Sequence, residues 1–241
     1  MNSEYIYGRI PIQECLTAKR RTPHCLYLQD GAKDLQDLYK LAMAASIPVE
    51  KTSRKALNRM TQDGVHQGAV LETAPLHIHK LKDWLAQNHE PQSMVVILDS
   101  IEDPHNFGAI ARTASACGAS ALLFSKDRSA PLSSTAMKSA AGAMEYIDLI
   151  QLTNLPRALD MLKEANFWIA GLDADADKML WDADFKGRTG LVVGNEGKGM
   201  RPLVQKKCDY IVSIPISGPI TSLNASVSAS AALIEFLRQT Q

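Results

Sequence analysis

At 241 residues the chain is long enough for one large or two modest domains, with a core that needs no disulfide or metal staple. A composition of 46% hydrophobic and 22% charged residues excludes an intrinsically disordered chain. The 26 Lys and Arg balance the 26 Asp and Glu, so the chain as a whole lacks the basic excess common in phosphate-tracking domains.

The balance is uneven. Residues 1–80 hold 11 Lys or Arg against 8 Asp or Glu, and the remainder holds 15 against 18. The run Lys19-Arg20-Arg21 lies in the basic part. It fits a solvated loop and a phosphate-contacting loop equally well. Cys15, Cys25, Cys117 and Cys208 form no CxxC pair and match no zinc spacing. They read as free thiols in a reducing compartment. The N-terminal MNSEYIYGRI lacks a basic-then-apolar leader, and no stretch approaches the ~18 apolar residues of a membrane helix. A cytoplasmic protein with no membrane partner is expected.

Residues 1–75 alternate short strands with helices, as a small α/β domain. Residues 25–28 form a short β-type run, and Asp34 is placed to cap a helix carrying Leu35, Leu38, Leu41 and Ala45. A second strand is expected at 47–49. Ser53 opens another helix through Leu57 and Met60, Asp63-Gly64 makes a turn, and a third strand follows at 68–71. Residues 76–93 are polar and His-rich and read as a linker or bridging helix. Their His77 and His79 are too few for a metal site, and no metal is expected.

Residues 94–241 read as a second α/β domain. The apolar run 94–98 is typical of a strand buried on both faces of a parallel sheet. Helices are expected at 106–117, 134–141 and 155–165, between strands at 121–124, 146–150, 168–172, 189–193 and 210–214. A last helix runs from 224 to 238, with Val227, Ala231, Ile234 and Leu237 as its apolar stripe. Such alternation predicts a parallel sheet covered on both faces, whose ligands lie beyond the carboxyl ends of the strands.

Three of those strand ends carry unusual loops. In DSIEDPHNFGAIARTA, Pro104 and Asn106 interrupt the chain, Gly108 permits close approach, and Arg112 follows on the helix. An Arg there fits either a phosphate ligand or an ion pair with Asp99 or Asp103. In VGNEGKG the three glycines bring backbone close to a ligand or turn the chain sharply. The spacing is neither a P-loop nor GxGxxG. Glu196 would repel a phosphate and suits a hydroxyl or cationic group. In IPISGPITSLN the two prolines and the length exceed what a helix cap needs, and the small-residue run ASVSASAA after it permits close packing.

DPHNFGAIARTA, VVGNEGKGM and IPISGPITSLNASVSAS, in this order within residues 99–230, resemble the three signature motifs of the SpoU/TrmH (SPOUT) family of RNA 2′-O-ribose methyltransferases. YGRIPIQECL and HQGAVLE resemble the flanks of an L30e-like substrate domain. This two-domain form is similar to bacterial enzymes that methylate a guanosine in 23S rRNA. The resemblance implies a trefoil knot in the parallel sheet, S-adenosylmethionine as methyl donor, RNA as substrate and a homodimer. It places Gly194, Ile214 and Leu223 against the cofactor. Asn106, Arg112, Glu196, Ser222 and Asn224 fall on its polar active-site positions, with Asn106 and Arg112 near a partner's cofactor. Arg112 is either an unusual base or a group that orients and stabilises. Arg9, Lys19, Arg20 and Arg21 are candidate RNA contacts. Ala225 and Ser228 depart slightly from the pattern, which often has Val and Ala there. Methylation of tRNA, and a non-catalytic RNA-binding assembly factor, are the alternative readings.

Overall fold

The structure is a computed structural model that describes residues 3–32, 34–87, 90–126 and 132–241. The chain divides into two compact units, Met1–His77 with Ala141–Tyr146, and Ile78–Ala140 with Ile147–Gln241.

The smaller unit runs β1 (Glu4–Tyr7), α1 (Arg9–Ala18), β2 (Pro23–Gln29), α2 (Gln36–Ala44), β3 (Val49–Thr52), α3 (Arg54–Thr61) and β4 (Ala69–Thr73). Its sheet has the order β1-β4-β2-β3. β4 pairs antiparallel with β1 and β2, and β3 pairs parallel with β2. Ile12, Leu26, Leu57, Val70 and Leu71 are fully buried between sheet and helices. Ser53 caps α3 by accepting from the Ala56 N–H, as its position predicts. Asp34 does not cap α2. The helix starts at Gln36, and Leu35 takes the cap position with no side-chain bond. Leu35 is buried, and burying a leucine outweighs the ~1 kcal/mol of a cap. β3 begins at Val49 rather than at 47, because Pro48 has no N–H for the ladder and contributes only its carbonyl, to Leu26.

Residues 141–146 belong to this unit although they follow the sequence of the other. Ala141 and Gly142 have φ of 48° and 86°, which turns the chain into a 3₁₀ turn at Ala143–Glu145. A Cβ on Gly142 would lie 2.5 Å from Glu14 Cβ, so only glycine fits this approach. Met144 and Glu145 are buried. The strand expected from 146 therefore starts later, at Asp148.

The larger unit contains β5 (Ile78–His79), α4 (Leu81–Leu85), β6 (Ser93–Asp99), α5 (Pro104–Ala116), β7 (Ala121–Ser125), α6 (Ser134–Ser139), β8 (Asp148–Leu152), α7 (Leu155–Glu164), β9 (Trp168–Leu172), β10 (Arg188–Gly194), α8 (Pro202–Gln205), β11 (Tyr210–Val212) and α9 (Ala225–Thr240). The seven strands pair in parallel in the order β11-β9-β10-β6-β7-β8-β5. Every residue of β6 is buried, as an uninterrupted apolar run in a covered sheet requires. The strand order reverses between β6 and β10: the chain winds outward through β7 and β8, then crosses back to β9. A crevice at such a switch point is where open parallel sheets bind ligands.

Two readings of this half are amended. Residues 76–93, expected as a linker or bridging helix, hold the short helix α4 and also join the larger sheet and its core. Ile78 and His79 extend the sheet beside β8, and Leu81 and Trp84 enter the main core. Trp84 Nε1 donates to Asp148 Oδ2 at 2.9 Å, and His79 lies 3.5 Å from the same carboxylate. Asn88 and His89 of that stretch lie outside the described residues. Helix α9 buries Ala225, Ala229, Ala232, Leu233 and Phe236, whereas Val227 and Ile234 of the expected apolar stripe are exposed. Small residues face inward because α9 packs on α5, where Ser230 Oγ donates to Thr113 Oγ1 at 3.0 Å.

Candidate functional site

The carboxyl ends of β9, β10 and β11 open into one cavity of about 330 Å³. Its walls come from Leu172 and Asp173 after β9, the loop from Val193 to Gly199 after β10, and Val212, Ile214, Ile216, Ser222 and Leu223 after β11. Local chemistry shapes the glycine loop. Asn195 and Gly199 exchange backbone hydrogen bonds of 3.1 and 2.8 Å. Asn195 Oδ1 accepts from the N–H of Gly197 and Lys198, while its Nδ2 donates to the Ser100 carbonyl. A Cβ on Gly194 would lie 2.5 Å from the Gly199 carbonyl carbon and the Met200 nitrogen. A side chain at 194 would therefore force this hairpin open.

A polar cluster sits on the rim. Glu196 Oε1 accepts from Asn106 Nδ2, from Asn224 Nδ2 at 2.6 Å and from the Ala225 N–H at 3.3 Å. Asn224 Nδ2 also donates to Asn106 Oδ1 at 3.0 Å, which closes a triangle. Asn224 Oδ1 caps α9 by accepting from Ser226 and Val227. Asn106 is buried on the first turn of α5, whose N-cap Asp103 accepts from the His105 N–H. Each side chain of the triangle comes from a different one of the three sequence motifs.

Of the residues singled out in the sequence, Gly194, Glu196, Ile214, Ser222 and Leu223 line the cavity, and Asn106 and Asn224 are bonded to Glu196. Asn106 is bonded to Glu196 and Asn224 of its own chain. Arg112 does not line the cavity. It is exposed on α5. The sequence reading missed Asp173 and Asp175, which line the cavity beyond a fourth strand end. Their signal was available, since DADAD follows the apolar run of β9 directly. Asp99, offered by the sequence as an ion-pair partner of Arg112, is fully buried and pairs with Arg201 instead, accepting from the Arg201 N–H at 2.8 Å and from Arg201 Nε at 2.6 Å. That pair ties the end of β6 to the end of the glycine loop.

In the smaller unit Arg9, Lys19 and Arg20 are exposed, but Arg21 is not available to RNA. Its buried guanidinium lies 2.7 Å from Glu145 and 3.1 Å from Glu4. The run Lys19-Arg20-Arg21 looks uniform in sequence, yet the chain turns at Lys19 (φ 54°) and sends the third residue inward. Burial pushes the thiols of Cys15 and Cys208 up to about 12 and raises those of Cys25 and Cys117, so none is a ready nucleophile. Among the described residues no group of three or more His, Cys, Asp or Glu side chains is arranged to hold a metal, and no helix is long and apolar enough to cross a membrane.

A parallel sheet whose strand ends open into a glycine-walled cavity defines an α/β protein of the kind that binds a small organic ligand beyond the carboxyl ends of its strands. Comparison with known proteins narrows the class. The SpoU rRNA methylase family matches residues 93–234, and the family described as RNA 2′-O ribose methyltransferase substrate binding matches residues 5–79. The chain belongs to the SpoU rRNA methylase family. It is 39% identical over 240 residues to the 23S rRNA (guanosine-2′-O-)-methyltransferase RlmB of Pseudomonas aeruginosa, covering 98% of this chain and 96% of that protein. It is 38% identical over 242 residues to the protein of the same name in Escherichia coli K12, covering 98% and 99%. The crystal structure of the SpoU methyltransferase AviRb from Streptomyces viridochromogenes, in complex with the cofactor AdoMet, shares the fold with a TM-score of 0.83 at 23% identity. That match covers 98% of this chain and 90% of that one.

Proposed function

We propose that this protein transfers the methyl group of S-adenosylmethionine to the 2′-hydroxyl of a ribose in 23S rRNA, at a guanosine, in the cytoplasm. The observation that carries the reading is the meeting of three strand-end loops around one cavity, with the Glu196–Asn106–Asn224 triangle on its rim.

The chemistry of the cavity fits this donor. Leu172, Val193, Ile214 and Leu223 offer apolar surface to an adenine ring and a methylene chain. Asp173, Asp175 and Glu196 offer carboxylates to a sulfonium, an ammonium or ribose hydroxyls. Gly194 leaves backbone exposed where a side chain would not fit. When bound, the donor supplies an electrophilic sulfonium methyl. Gly194, Ile214 and Leu223 hold it, largely through main-chain atoms. Glu196 fixes Asn106 and Asn224, so the rim is ordered before RNA arrives, and such preorganisation lowers the cost of aligning two reactants. Ser222, on the same wall, is assigned to orienting the target hydroxyl. Arg112 has five N–H donors and no acceptor. It is assigned to gripping the phosphate beside the target ribose and stabilising the developing oxyanion.

The smaller unit is read as an L30e-like domain that positions RNA, with Arg9, Lys19 and Arg20 on phosphates. The larger unit is read as a SPOUT domain whose C-terminal passage forms a trefoil knot. The Ala225 N–H bond to Glu196 holds that passage against the glycine loop. The exposed Val227 and Ile234 on α9 support a homodimer in which that face is covered and Arg112 serves the partner's site.

Calorimetry with S-adenosylhomocysteine tests the cavity. The wild type should bind one equivalent per chain, and Gly194→Ala should bind at least tenfold more weakly. Equal affinities would remove the glycine loop from the donor site.

A further inference from the structure

Within the smaller unit, three turns carry left-handed backbone. Gly8, Gly31, Gln67 and Gly68 have φ of 93°, 74°, 52° and 81°. Glycine adopts such values freely, but Gln67 needs support to stay there. His66 provides it. The buried ring accepts the Gly68 N–H at Nδ1 (3.0 Å), and its Nε2 lies 2.8 Å from Asn58 Oδ1. Accepting at Nδ1 leaves the ring proton on Nε2, which donates to Asn58. Gln67 Oε1 then accepts the Arg9 N–H at 2.9 Å, supplying the cap that Gly8 cannot. Between these turns lies a cavity of about 410 Å³, lined by Arg9, Gln29, Ala32, Asp34, Leu35 and Gln67.

We propose that this cavity receives one unpaired nucleobase of the RNA substrate. The inference rests on the functional reading above and adds to it a site for recognition within the smaller unit. The lining matches a base better than a phosphate. Leu35 and Ala32 present apolar surface to a ring face. The carboxamides of Gln29 and Gln67 each carry a donor and an acceptor, as base edges do, and the amide protons of Gln67 are not used in its bond to Arg9. Asp34 would repel a phosphate but accepts from a ring N–H or an exocyclic amine. Arg9, exposed at the rim, is left for the phosphate next to the base. Sequence-specific RNA recognition takes this form, with splayed single-stranded bases read on their edges.

The two contacts differ in their salt dependence. A phosphate contact contributes about one unit to the slope of log affinity against log salt, and a base contact contributes none. Unmethylated 23S rRNA transcribed in vitro serves as the probe, with the full-length protein and filter binding over a salt series. Gln29→Ala should bind about fivefold to tenfold more weakly with an unchanged slope, in the range of lost base contacts. Arg9→Ala should reduce the slope by about one. Both variants should give the wild type's circular dichroism spectrum and urea transition, which report on the fold of the smaller unit. Wild-type affinity in Gln29→Ala, or a slope reduced by that substitution, would overturn the base site while leaving the methyltransferase reading in place. A wild-type protein that does not bind 23S rRNA would overturn both.

Discussion

A single oxygen, Glu196 Oε1, gathers three donors from two other loops. The glycine loop holds its own hairpin and the other two motifs cap their own helices, and the carboxylate fixes how the three sit together. Asn106 is the buried member, so losing its partner leaves a desolvated amide unpaired, which costs about 1–3 kcal/mol. Arg112 stands outside this network and outside the cavity. Arg112→Ala should therefore abolish methyl transfer to 23S rRNA while leaving S-adenosylhomocysteine affinity within about twofold of the wild type, a split typical of a group that acts on the transition state. Calorimetry beside a turnover assay checks both halves. Near-normal turnover would exclude Arg112 from the reaction. At this scale the motif residues were legible because glycine, proline and polar side chains crowd into strand-end loops. Arg21 was not. Nothing local distinguishes it from Lys19 and Arg20, and its partner Glu145 lies 124 residues away.

Among the elements, the strands of the larger sheet were readable from apolar runs, since burial on both faces leaves no polar position. β5 was missed because two residues show no periodicity and owe their strand to β8 alone. The inward face of α9 was misassigned because bulk suggests burial. Close packing on α5 selects alanines instead and leaves Val227 and Ile234 outside. The 3₁₀ turn at Ala143–Glu145 makes the plainest energetic statement. Burial raises the Glu145 carboxyl and the adjacent Arg21 charge opposes that rise, so the two side chains depend on each other. Arg21→Ala should destabilise the smaller unit by about 3–5 kcal/mol, the range for stranding one member of a buried pair. Lys19→Ala should stay within about 0.5 kcal/mol. Urea unfolding measures both, and a loss below 1 kcal/mol for Arg21→Ala would show that the pair is not structural.

For the molecule as a whole, the sequence suggested a small α/β unit followed by a parallel sheet, but not the mixed pairing of the smaller sheet or the place of residues 141–146 in that unit. The reversal of strand order between β6 and β10 was not visible either, because strand pairing joins segments far apart in the chain. The exposed apolar pair on α9 carries a prediction at this scale. Sedimentation should show a dimer, and Ile234→Asp should shift it to a monomer with much reduced turnover. A monomeric wild type with full activity would contradict the shared site. A 2′-O-methyl group blocks the neighbouring hydroxyl from attacking its phosphate, so alkali cannot cut there. Unmodified 23S rRNA should be incubated with the protein and methyl-labelled S-adenosylmethionine, then hydrolysed in alkali. The account predicts label in an alkali-stable dinucleotide containing guanosine. Label in mononucleotides, or none in the RNA, would contradict it.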